Sequence, residues 1–89
     1  AKNPVIILPD ADIDMTTQIV TDSVYGCAGQ RCLAASTIIT VGDHKNITES
    51  LVAGAKNRTT GFGLDKNVLM GPVINSTALA AKVAKVKYP

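Results

Sequence analysis

Cys27, Cys32, His44 and Glu49 are residues whose types could do chemistry. Cys32 closes the run Gly29-Gln30-Arg31-Cys32, with Cys27 five residues before it. A thiol attacks as the thiolate, and two features beside Cys32 favour that form. One is the cation Arg31. The other is a short helical turn expected at Ala34 and Ala35, whose peptide N–H groups would lie near the sulfur. Gly29 lets the backbone turn sharply and approach a ligand closely. The same residues also fit a buried structural cysteine, a common fate of this side chain.

The two thiols are spaced C-x4-C, not the C-x-x-C of a dithiol redox site. No second pair completes the four ligands of a zinc site, so no metal is expected. His44 is the only histidine and falls at the expected solvated start of a helix, so a cysteine–histidine dyad has no support in the pattern. Glu49, the only glutamate, falls mid-helix on a solvated face. Gly61-Phe62-Gly63 and Gly71-Pro72 form neither a G-x-G-x-x-G turn nor a Walker loop, so no residue here is assigned to a nucleotide.

The elements that must carry these residues alternate. Val5-Ile6-Ile7-Leu8 is a continuous apolar run, as in a strand covered on both faces. Pro9-Asp10 closes it, and Asp10, Asp12 and Asp14 supply capping and first-turn carboxylates to a helix. Ile13, Thr17, Val20 and Val24 give that helix one mostly apolar face, and Gly26 is its expected stop. Ser36 to Val41 reads as a buried strand. A second helix runs from about Lys45 to Asn57, with Ile47, Leu51, Val52 and Ala55 inward. Thr59 to Pro72 is loop-rich, and a last helix starts after Ser76 with Leu79, Val83 and Val86 inward.

The order β-α-β-α-loop-α predicts an α/β fold with a parallel sheet. Two parallel strands make a poor stand-alone sheet. The chain has 89 residues and only Phe62, Tyr25 and Tyr88 as rings, which points to a core of aliphatic residues or one shared with missing partners. A net charge of +2 is too mild for nucleic acid, and Lys82, Lys85 and Lys87 read as a solvated helix face. No apolar run is long enough to span a membrane. Ala1-Lys2-Asn3-Pro4 does not read as a secretory leader, so reduced thiols in an intracellular compartment are expected. The Asn-x-Ser/Thr triplets at Asn46, Asn57 and Asn75 are read as accidental.

Gly29-Gln30-Arg31-Cys32 resembles the G-Q-x-C motif of the aldehyde dehydrogenase superfamily. Lys2 to Ile7 followed by Asp10-Ala11-Asp12-Ile13-Asp14 resembles that family's strand and "DADLD" turn ahead of the cysteine helix. Gly63-Leu64-Asp65 and Met70-Gly71-Pro72-Val73-Ile74 resemble its later loop and "GP-L/V-I" segment. The resemblance runs from Lys2 to about Val83 and leaves the tail, Ala84 to Pro89, unplaced. Ala1-Lys2-Asn3, Pro9-Asp10-Ala11 and Ala28 to Ala34 are similar to the methylmalonate-semialdehyde branch.

The resemblance implies that residues 1–89 are part of a catalytic domain whose parent is an NAD-dependent oxidoreductase acting on a small aldehyde. Cys32 would be its nucleophile, and Arg31 would hold the substrate carboxylate. The parent would convert methylmalonate semialdehyde to an acyl-CoA through a thioester on Cys32, with CoA as co-substrate. It would be a homo-oligomer of the cytoplasm or mitochondrion. The dinucleotide-binding domain and oxyanion-hole asparagine would lie outside these residues, so the isolated chain is expected to be inactive. A hydrolytic branch of the family, a thiol redox or metal module built on Cys27 and Cys32, and a non-catalytic interaction fragment are the rival readings.

Overall fold

The computed structural model describes residues 1–86, so Lys87 and Tyr88 lie outside the described residues. Strand β1 (Asn3–Ile7) leads into helix α1 (Ile13–Tyr25). A one-turn 3-10 segment (Gly26–Gly29) and a turn at residues 31–34 then carry the chain into β2 (Ala35–Thr40). Helices α2 (Lys45–Lys56) and α3 (Ser76–Val86) follow. The two strands pair in parallel, with Val5 opposite Ile38 and Ile7 opposite Thr40. The alternation expected of an α/β chain with a parallel sheet is therefore present, in the order predicted.

Local chemistry explains the boundaries. The Asp12 carboxylate accepts the Met15 N–H at 2.8 Å, capping α1, and Asp14 sits in its first turn. Asn75 plays the same part for α3, accepting the Ala78 N–H at 2.8 Å. Between α2 and α3, the loop from Thr59 to Met70 closes on itself. The Leu69 and Met70 N–H groups both donate to the Thr59 carbonyl, and the Gly61 N–H donates to Met70.

The core is small and one-sided. Ile7, Val20 and Ile47 meet where β1, α1 and α2 converge, flanked by Val5, Ala11, Val24 and Leu51. Helices α1 and α2 approach closely at Gly54, where a Cβ would lie 2.8 Å from the Thr21 methyl. Thr21 is buried there, its hydroxyl satisfied by the Thr17 carbonyl at 2.7 Å.

Four expectations about burial do not hold. β1 is covered on one face only: Ile7 is buried, whereas Ile6 is 63% exposed and Leu8 56%. β2 is not a buried strand, because only Ala35 is enclosed and Ile38 and Ile39 are exposed. On α2, Ile47 is buried but Val52 is not. Helix α3 buries nothing, and Leu79, Val83 and Val86 all face outward. The reason is common to all four. Apolar patterning records which faces require cover, and two strands with three helices cannot cover both faces of a sheet and every helix stripe. No helix among the described residues is long and apolar enough to cross a membrane.

Candidate active site

The segment joining α1 to β2 holds both thiols, and its backbone is unusual. Cys27, Ala28 and Gly29 are successive left-handed residues, with φ of 50°, 55° and 72°. Gly29 takes this conformation freely, but each of the other two pays for it with about 1–2 kcal/mol of steric strain. Cys32 follows in a tight turn closed by the Ala34 N–H donating to the Arg31 carbonyl at 3.2 Å. The helical turn expected after Cys32 is absent, because Ala35 already belongs to β2. Pairing with β1 draws those residues into extended backbone.

Side chains from distant elements hold this segment. From the start of β1, the Asn3 amide donates to the Cys32 carbonyl at 2.8 Å and to the Ala34 carbonyl at 3.1 Å. From α1, the Ser23 hydroxyl accepts the Ala35 N–H at 3.0 Å. From α3, the Lys82 ammonium donates to the Ala28 carbonyl at 2.8 Å, so this lysine is not simply part of a solvated face. Gln30 works in both directions: its Nε2 donates to the Cys27 carbonyl at 2.8 Å, and its Oε1 accepts the Ile74 N–H at 2.9 Å. Gln30 thereby ties the thiol segment to the Gly71-Pro72-Val73-Ile74 stretch.

Cys32 itself is an exposed, free thiol, as is Cys27. Among the described residues, the Cys32 N–H donates to no acceptor, whereas its carbonyl is held by Asn3. An exposed sulfur beside an unclaimed N–H is an arrangement that can add to a carbonyl and meet the resulting oxyanion. Arg31 lies at the other end of the turn. Its Nη2 makes a long 3.4 Å hydrogen bond to the Asp22 carbonyl. The guanidinium occupies the space over Gly26, where a Cβ would fall 1.3 Å from Nη2. Gly26 therefore ends α1 as expected, but with φ of −55°, and its missing Cβ leaves the space that the Arg31 guanidinium takes up. Asp22 also forms an ion pair with Arg58 at 2.8 Å. The Cys27 to Cys32 segment is thus held from outside by Asn3, Ser23 and Lys82 and from within by Gln30. None of the three outside residues was singled out from the sequence as supporting the thiol.

His44 is the exposed N-cap of α2, where its side chain caps nothing, and no hydrogen bond joins it to either thiol among the described residues. No cluster of three or more metal-ligating side chains occurs among them either.

Fold and site together define a class. The chain belongs to the aldehyde dehydrogenase family, whose profile matches residues 1–87. It is 40% identical over 99% of its length to malonate-semialdehyde dehydrogenase 2 of Geobacillus kaustophilus (strain HTA426). Against the acylating, mitochondrial methylmalonate-semialdehyde dehydrogenase of Arabidopsis thaliana it is 42% identical over 88% of its length. The structure superposes, with a TM-score of 0.92 and 32% identity over 98% of the chain, on a Sinorhizobium meliloti protein assigned as a methylmalonate-semialdehyde dehydrogenase and crystallised with NAD. The chain spans 18% of the Geobacillus protein, 13% of the Arabidopsis protein and 18% of the Sinorhizobium chain.

Proposed function

We propose that this chain is the catalytic-cysteine part of the catalytic domain of an aldehyde dehydrogenase, with Cys32 as the nucleophile. The observation that carries the reading is the exposed Cys32 with its own N–H unclaimed. The Cys32 thiolate adds to the aldehyde carbon, and the new oxyanion lies within reach of the Cys32 N–H. Once the hydride has left, a thioester remains on Cys32. The thiol of CoA resolves it and carries the acyl group away, as the acylating name of the Arabidopsis relative suggests.

NAD is the hydride acceptor of this reading, supported by the NAD complex of the Sinorhizobium structure. When bound, an oxidised nicotinamide supplies a place for the hydride. The residues described here do not offer it a phosphate cradle. The Gly61 N–H is taken by Met70 and the Asp65 N–H by Phe62, and the first turns of α1 and α3 are capped by Asp12 and Asn75. Its site belongs to the part of the enzyme outside this chain.

The substrate class is a short semialdehyde bearing a carboxylate, methylmalonate semialdehyde or its malonate counterpart. Arg31 is the residue for that carboxylate. Its planar fork suits bidentate pairing, and its present hydrogen bond to Asp22 is long enough to give up readily. The test is turnover of methylmalonate semialdehyde by the full-length parent with NAD and CoA, followed as acyl-CoA by mass spectrometry. Cys32→Ala should yield none. Acid as the product at saturating CoA would move the protein to the hydrolytic branch, and turnover surviving in Cys32→Ala would remove Cys32 as the nucleophile.

A further inference from the structure

From the geometry around Asn3, we infer that this residue is a positioning residue for the nucleophile: its side-chain amide sets the backbone orientation of Cys32. The inference rests on Cys32 being the nucleophile and adds a residue that acts through it.

Parallel pairing of β1 and β2 is regular from Pro4 opposite Thr37 to Ile7 opposite Thr40, but the register breaks between Asn3 and Pro4. At that break the Asn3 side chain makes the link to the turn of Cys32. Its Nδ2 carries two hydrogens, and two carbonyls face it, Cys32 at 2.8 Å and Ala34 at 3.1 Å. Two carbonyl oxygens can face only the NH2 end of an amide, so the orientation of the side chain is fixed by chemistry.

Holding these carbonyls pins the Cys32–Leu33 and Ala34–Ala35 peptide planes on either side of the turn's second half. With the carbonyl of Cys32 held, the Cys32–Leu33 peptide plane is oriented, which limits the directions in which the Cys32 Cβ and sulfur can leave the backbone. Among the described residues the Cys32 N–H has no partner that would do this from the other side. The Arg31 to Ala34 bond closes the turn without touching a polar atom of Cys32. Asn3 is therefore the contact through which β1 reaches the nucleophile.

A group that orients the nucleophile acts mainly in the transition state, so its loss lowers kcat and spares KM. The experiment uses the full-length parent with Asn3→Leu, which keeps the branched shape without donors, and Asn3→Asp, which keeps shape and polarity without donors. Active sites are counted by stoichiometric iodoacetamide labelling of Cys32, so that misfolded enzyme drops out of the rate. Both variants should lose roughly three- to tenfold in kcat per labelled site, the range of one or two modest hydrogen bonds, with KM within about twofold. An unchanged kcat per site in both variants would falsify the role. So would slowing in Asn3→Asp alone, which would trace to its charge, or a fall only in melting temperature and labelled fraction, which would mark Asn3 as structural. Cys32→Ala in the same assay separates the two claims. If it still oxidises aldehyde, the nucleophile assignment falls and the role of Asn3 falls with it; if it is inert while the Asn3 variants run at full rate, only the role of Asn3 is lost.

Discussion

The Lys82 ammonium on α3 donates to the carbonyl of Ala28, 54 residues earlier, at 2.8 Å. Among the described residues Ala28 is one of two non-glycine residues in left-handed backbone, so a distant helix braces a strained peptide just ahead of the turn of Cys32. Removing this brace in Lys82→Met should cost less than about 1 kcal/mol, since the contact is exposed. It should also speed proteolytic nicking between Gly26 and Arg31 in the parent enzyme. Unaltered cleavage kinetics would mean that the lysine is incidental.

Strain in the same segment predicts two substitutions of opposite sign. Ala28→Gly relieves a φ of 55° and should stabilise the parent by up to about 1 kcal/mol. Gly29→Ala imposes a side chain on a φ of 72°, with the Val24 carbonyl 3.2 Å from the new Cβ, and should destabilise by about 1–2 kcal/mol. Denaturant midpoints measured side by side decide the matter. Shifts in the same direction would show that the left-handed run is not retained in solution.

Of the two exposed thiols, Cys32 should react first with iodoacetamide near neutral pH in the intact parent. It stands in a turn beside Arg31 with its N–H unclaimed, whereas Cys27 sits in the 3-10 segment at the end of α1. Peptide mapping after partial labelling reads the order directly, and preferential modification of Cys27 would reverse the assignment.

Arg31 makes a sharper test of substrate class. If its fork pairs with the substrate carboxylate, Arg31→Leu should cost roughly ten- to a hundredfold in kcat/KM for a carboxylated semialdehyde and far less for an uncharged aldehyde of similar size. Arg31→Lys keeps the charge without the fork, so it should recover only part of that loss. Equal slowing of both substrates would assign Arg31 to its observed place over Gly26 at the end of α1.

The isolated 89-residue chain should neither oxidise aldehydes nor bind NAD. It should also self-associate, because both sheet edges are open and Ile6, Leu8 and the α3 stripe are exposed. Calorimetry with NAD and sedimentation at several concentrations test the two statements. Micromolar NAD affinity would overturn the first, and a concentration-independent monomer the second.

Much of this was legible before any coordinates. The Asp12 cap, the period of Ile13, Thr17, Val20 and Val24, and the β-branched run before Gly42 are local signals. A local signal survives whether or not the rest of the protein is present. Gly29-Gln30-Arg31-Cys32 likewise pointed to the family through residue type and adjacency alone.

Burial did not follow from those signals. Whether Ile39 or Val83 is covered depends on which elements lie across from it, and the periodicity of a stripe records only that it requires cover. The support of Cys32 was equally hidden. Asn3 and Cys32 are 29 residues apart, Gln30 and Ile74 are 44 apart, and an asparagine or glutamine carries no mark of the carbonyl it will meet. Parallel pairing of β1 with β2, broken at Pro4, brought Asn3 to the turn of Cys32. The chain's own residue types therefore placed two thiols in one short segment, and only the packing of β1, α1 and α3 around that segment decided what holds it in place.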